Sequence, residues 1–125
     1  MMTTETNGSA ATAMKQRLRD DLRAAMAGKR SAEVAVLRTL LGALDQAEAV
    51  DAVARGREYA SLKFGDPEVE VPRKRLSAEE VRAVVVREHD ELRRAADDYA
   101  RLGRADAVAV CAIKAEVLAR YLEPA

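Results

Sequence analysis

The second half of the chain spells a helix, a stop and a second helix, and any fold must be built around that unit. A helical stretch passes through Tyr99, Ala100, Arg101 and Leu102 and meets Gly103. Arg104, Ala105 and Asp106 then open an apolar run that closes on Tyr121 and Leu122. Glycine tolerates the left-handed backbone with which many helices end. Asp106, in a first turn, faces the positive end of a helix dipole. A connection this short folds the two arms back on each other as an antiparallel hairpin.

Similar punctuation divides the rest of the chain. Met14, Leu18, Leu22, Ala25 and Met26 recur at helical spacing and predict a first helix from Thr12 or Ala13 to Ala27. Gly28 is expected as its left-handed stop, with Lys29 and Arg30 near the negative end of the dipole. Ser31 is placed to cap a second helix. Its stripe is Val34, Leu37, Leu41 and Leu44, widened by Leu40 and Ala47, and its end is expected between Val50 and Arg55. Ser77 and Glu80 predict a capping box for a third helix, with Leu76 and Val81 flanking it as a hydrophobic staple. That helix is expected from Ala78 to Leu102. A fourth starts near Ala105 and cannot continue through Pro124.

The expected fold is therefore all-α, a four-helix domain of two antiparallel hairpins occupying residues 12–125. Residues 1–11, rich in Thr, Ser, Gly and Asn, are expected as a disordered tail. Gly56, Gly65-Asp66-Pro67 and Pro72 interrupt any helix, so residues 56–75 are expected as a long mobile loop. The alternation over Glu68–Val71 has no partner run and predicts no sheet.

Composition narrows the function classes. Hydrophobic residues make up 49%, but alanine supplies much of this and aromatics only 3%, which favours closely packed helices over a bulky core. Lys plus Arg and Asp plus Glu balance at 21 each, so no global basic field gathers nucleic acid. The compact basic run Arg73-Lys74-Arg75 is the candidate nucleic-acid contact. Cys111, the single cysteine, excludes an internal disulfide and a cysteine-framed zinc site. Its neighbours Val110, Ala112 and Ile113 mark it as a small buried hydrophobe. No run of about 18 apolar residues predicts a membrane helix. Residues 1–12 lack the cationic start and apolar middle of a secretory signal, so a cytoplasmic location is expected.

Few residues point to chemistry. The stripe of the third helix reads Val81, Val85, Glu88, Leu92, Ala95, Tyr99 and Leu102, which sets Glu88 on the apolar face. A buried carboxylate needs a partner or takes up a proton. Arg38 and Lys114 are the candidate partners, and a structural ion pair outweighs a catalytic acid, because one carboxylate specifies no reaction. His89, the only histidine, has no metal ligand at helical spacing and reads as solvated or half-packed. Arg82, Arg87, Arg93, Arg94 and Arg101 interleave with Asp90, Glu91, Asp97 and Asp98. Solvated salt-bridge lacing outweighs a phosphate-binding face there, because the carboxylates repel phosphate. Phosphate loops, nucleophile triads and metal-ligand spacings are absent from the sequence. No catalytic residue, metal or cofactor is assigned.

Several short segments, taken in order, resemble the YqeY-like family, the GatB/YqeY domain. They are Asp20-Asp21-Leu22 with Ala25-Met26, Leu37-Arg38, Arg87-Glu88, Tyr99 with Gly103-Arg104 and Asp106, and Leu118 with Tyr121-Leu122. The resemblance spans roughly Met14 to Leu122. It implies kinship with the C-terminal region of the B subunit of glutamine-dependent tRNA amidotransferase, a helical appendage that helps hold tRNA. It also implies the family label of a carbon–nitrogen ligase with glutamine as amido-nitrogen donor. This chain has neither a glutaminase nucleophile nor an ATP phosphate cradle, so the expected role is non-catalytic: an accessory protein binding tRNA or a tRNA-handling enzyme. Family members continue past Tyr-Leu-Pro into a smaller helical subdomain, whereas here Tyr121-Leu122-Glu123-Pro124 is followed by one residue. That departure leaves Leu118, Tyr121 and Leu122 as a candidate interaction patch and makes a helical protein–protein module or homo-oligomer the alternative expectation.

Overall fold

A computed structural model describes residues 3–62 and 76–123, with side chains over 10–50 and 76–123. The described residues form four helices and no strand: α1 (Thr3–Ala27), α2 (Ser31–Leu62), α3 (Ala78–Arg101) and α4 (Ala105–Ala119). The all-α class and the two hairpins are as expected, α1 packing on α2 and α3 on α4. α2 joins the hairpins by touching both α3 and α4, and α1 also touches α3. None of the described helices is long and apolar enough to cross a membrane.

Both hairpin turns close by the same hydrogen-bond pattern. After α3, the Gly103 N–H donates to the Ala100 carbonyl at 3.1 Å and the Arg104 N–H to the Tyr99 carbonyl at 2.9 Å. Gly103 is left-handed, with φ 71°. This is a Schellman end, in which the last carbonyls find donors beyond the helix. After α1, Lys29 donates to Met26 at 3.1 Å and Arg30 to Ala25 at 2.9 Å. Here the left-handed residue is Lys29, with φ 56°, and not Gly28 as expected. Gly28 still donates in helical register to Ala24, so the reversal falls one residue later.

The start of α3 matches the sequence closely. Ser77 Oγ accepts from the Glu80 N–H at 3.1 Å, and Glu80 Oε1 accepts from the Ser77 N–H at 2.9 Å. Leu76 and Val81, the staple pair, are both buried. Two boundaries differ. α1 begins at Thr3, not near Thr12, so the expected tail is largely helical, and Ala11 is buried in the core. Thr and Ser suggested a tail, but Ala10, Ala11 and Ala13 are strong helix formers. α2 continues through Gly56 to Leu62. One glycine costs a helix only about 1 kcal/mol, and Ala54, Arg55, Arg57 and Glu58 around it favour helix. The remainder of the expected loop, with Arg73, Lys74 and Arg75, lies outside the described residues.

The core forms where the two hairpins cross. Leu18, Leu37, Leu40, Leu44, Val85 and Leu118 are fully buried. The buried line of α2 is thus Leu37–Leu40–Leu44, while Leu41 is only partly covered. Cys111 is a buried free thiol, as its neighbours in sequence predict.

Candidate functional site

Half-buried Glu88 leads to a cleft where α2, α3 and α4 meet. Val36, Thr39 and Leu40 come from α2, Glu88, Glu91, Leu92 and Ala95 from α3, and Lys114 and Leu118 from α4. The cleft encloses about 280 Å³. Helical spacing explains the α3 wall, since residues three and four apart share a face. Burial, then repulsion from Glu91, raises the Glu88 carboxyl above its ordinary range, and Arg87 offsets part of this.

The expected Arg38–Glu88–Lys114 ion pairing does not form. Glu88 and Lys114 line the same cleft, yet neither has an ion-pair partner among the described residues. Arg38 is exposed at the α1–α2 hairpin, where its Nη2 lies 3.9 Å from Met26 Sδ. Thr39, not Arg38, takes the cleft-facing position next to Leu40, because one helical residue turns the side chain by about 100°.

At the end of the chain, Leu118 and Tyr121 are buried and Leu122 is partly buried against the core, while Tyr121 and Leu122 line a shallow depression with Ala10, Met14, Ala78 and Val81. The α4 backbone tightens beyond Ala119, with Tyr121 donating to Leu118 at 3.0 Å and Leu122 to Ala119 at 3.1 Å. This turn lays Tyr121 against α1. Its hydroxyl donates to Asp21 Oδ2, and the Arg17 guanidinium sits 4.4 Å from the ring centroid. Burial, then Asp21, holds the phenol well above its ordinary range, so it stays a donor. Arg82 Nη1 donates to the Leu122 carbonyl at 2.8 Å from the other side.

Exposed large apolar side chains include Met26 and Val50 on the first hairpin and three on the second. Leu102 (73% exposed), Val110 (42%) and Ile113 (49%) sit at the α3–α4 turn and on the outer side of α4. The outer side of α3 carries Arg82, Arg87 and Arg94 along one shallow depression, together with Glu79 and Asp90. His89 is half-buried, its Nδ1 4.0 Å from Asp90 Oδ1. The described residues contain no group of three or more His, Cys, Asp or Glu able to hold a metal.

A third polar cluster, between α1 and α2, has no counterpart in the sequence-based expectations. Lys15 bonds both Glu48 and Asp45 across the two helices, at 2.8 Å for Asp45, and Glu48 is only 5% exposed. Burial lowers the Lys15 pKa, but hydrogen bonds to Asp45 and Glu48, with their charges, outweigh this and leave it raised. A sequence signal existed. Glu48 continues the line Leu37–Leu40–Leu44, as Glu88 continues Val81–Val85. The Tyr121–Asp21 bond had no such signal, since its partners are 100 residues apart.

Comparison of the chain with protein-family models, with curated proteins and with solved structures finds no match in any of the three.

Proposed function

We propose that the protein is a non-catalytic, YqeY-like accessory module that acts by binding tRNA or a tRNA-handling enzyme. The observation that favours this reading is the Tyr121–Asp21 bond. It joins two of the segments on which the resemblance rests, Asp20-Asp21-Leu22 and Leu118-x-x-Tyr121-Leu122, while Leu37 and Leu118 share the buried core. Those segments lie far apart in sequence yet form one packed unit. The cleft holds two carboxylates and an ammonium beside apolar side chains, a lining suited to binding.

Fluorescence anisotropy of labelled tRNA, with duplex DNA as control, tests the reading. Saturable binding that survives physiological salt and prefers tRNA is expected. Charge reversal at Arg87 and Arg94, and separately at Arg73, Lys74 and Arg75, then locates the contact. Binding that is erased by salt and equal for DNA would remove tRNA as the ligand. Purified protein is expected to release no ammonia from glutamine above blank.

A protein–protein module is the second reading, and exposed Leu102, Val110 and Ile113 favour it. Size-exclusion chromatography with light scattering should show an oligomer that Ile113→Asp dissolves. An oligomer unchanged by that variant rules out α4 as the contact.

A further inference from the structure

The cleft between α2, α3 and α4 has a built asymmetry. Its floor is apolar: Leu92 and Ala95 are partly exposed, backed by Leu40 and Leu118, which are fully buried. Its charged wall carries Glu88, Glu91 and Lys114, none of them ion-paired among the described residues. Glu91 is exposed, but Glu88 and Lys114 are half-buried, and elsewhere charges close to the core find partners, as Lys15 and Glu48 do. Here the carboxylates, both from α3, outnumber the ammonium, from α4, and with the α2 wall they surround about 280 Å³ of space. Burial and the Glu91 charge both disfavour ionised Glu88, so a cation placed between the carboxylates offsets their repulsion and favours the ionised form.

We propose that this cleft binds a small amphipathic amine, its primary ammonium against Glu88 and Glu91 and its aliphatic body on Leu92 and Ala95. An ammonium offers three donors on a compact charge and so bridges two carboxylates. The space lies at the low end of ligand pockets, roughly 300–1,000 Å³, which limits the body to a short chain. An alkyl carboxylate is disfavoured, because it meets two like charges and one opposite. Lys114 weakens the binding of a cation by repulsion and leaves some selectivity against larger polycations.

Calorimetric titration of the full chain with n-hexylammonium chloride is the test, with n-butylammonium, n-hexanol and hexanoate as comparisons. Saturable one-to-one binding of hexylammonium is expected, weaker by about tenfold for butylammonium, since each buried methylene changes affinity about three- to fourfold. Hexanol and hexanoate should bind far more weakly. Glu88→Gln keeps the shape of the side chain and should weaken hexylammonium at least about tenfold, as expected for losing a charged partner. Ala95→Leu fills the cleft and should weaken it as well, while Lys114→Met should tighten it. Absence of hexylammonium binding, hexanol binding as tight as hexylammonium, or an unchanged Glu88→Gln titration overturns the proposal.

Discussion

Lys29 occupies a backbone conformation that lysine adopts at a cost. At φ 56° its Cβ crowds the following carbonyl, which costs a non-glycine residue roughly 1–2 kcal/mol. Glycine removes that crowding but adds freedom to the unfolded chain, worth about 0.4–1 kcal/mol in the other direction. Lys29→Gly is therefore expected to stabilise the protein by about 0.5–1 kcal/mol, a rise of a few degrees in Tm by circular dichroism. Glu88 gives a residue-scale prediction with a pH signature. Its carboxyl is raised above 4.5 in the folded protein, chiefly by burial and then by Glu91. Arg87 on α3 opposes this, Lys114 on α4 lines the same cleft, and the α2 wall offers no titratable group. A carboxyl raised on folding contributes stability below its unfolded pKa and loses it as pH climbs through the folded value. Glu88→Gln should therefore exceed the parent in Tm near about pH 7 and match it near about pH 4. An equal Tm difference at both pH values would contradict the buried-charge account.

Among the elements, α3 has the start most legible in sequence, because a capping box is a local device. Ser77 and Glu80 each satisfy a backbone donor that no earlier turn of helix can reach. Ser77→Ala should cost about 1 kcal/mol, read as a lower urea midpoint with an unchanged m-value. The end of α2 was not legible for the opposite reason. Gly56 weakens a helix without ending one, and the helix formers Arg57 and Glu58 carry α2 past it. α4 shows how burial separates faces that sequence cannot. Val110 and Ile113 look like core beside Cys111, yet they are exposed, while Cys111 and Leu118 point into the bundle. Apolar residues on every side of α4 give periodicity nothing to distinguish.

At the scale of the whole molecule, the Lys15–Glu48 pair ties α1 to α2 below the surface. Removing one partner strands a charge with little water around it, so Lys15→Met should cost about 2–3 kcal/mol. This is less than the full loss at a buried pair, because exposed Asp45 shares the site. Lys15→Met combined with Glu48→Leu should recover most of that loss, since an apolar pair of similar volume fits such a site. A double-mutant cycle by chemical denaturation measures the coupling, and simple additivity of the two losses would show that the groups act independently. The raised Lys15 pKa sets the window for this contribution. It is complete below the ordinary lysine value of 10.5 and is lost as pH rises through the folded value.

The sequence alone determined what depends on neighbours along the chain. Helical periodicity, the Ser77–Glu80 cap and the Gly103 stop determine that the chain makes helices, where α3 begins, and that α3 folds back on α4. Each is a contact spanning five residues or fewer, so its energy is written locally. The tertiary structure decided what depends on how the hairpins cross. It left Glu88 and Lys114 facing one cleft unpaired, sent Arg38 to the surface, and drew Tyr121 onto Asp21 and Glu48 onto Lys15. A carboxylate in an apolar stripe announces that it needs a partner. Which cation reaches it is decided by the angle and register between helices, and these are set by the packing of Leu18, Leu37, Leu40 and Leu118.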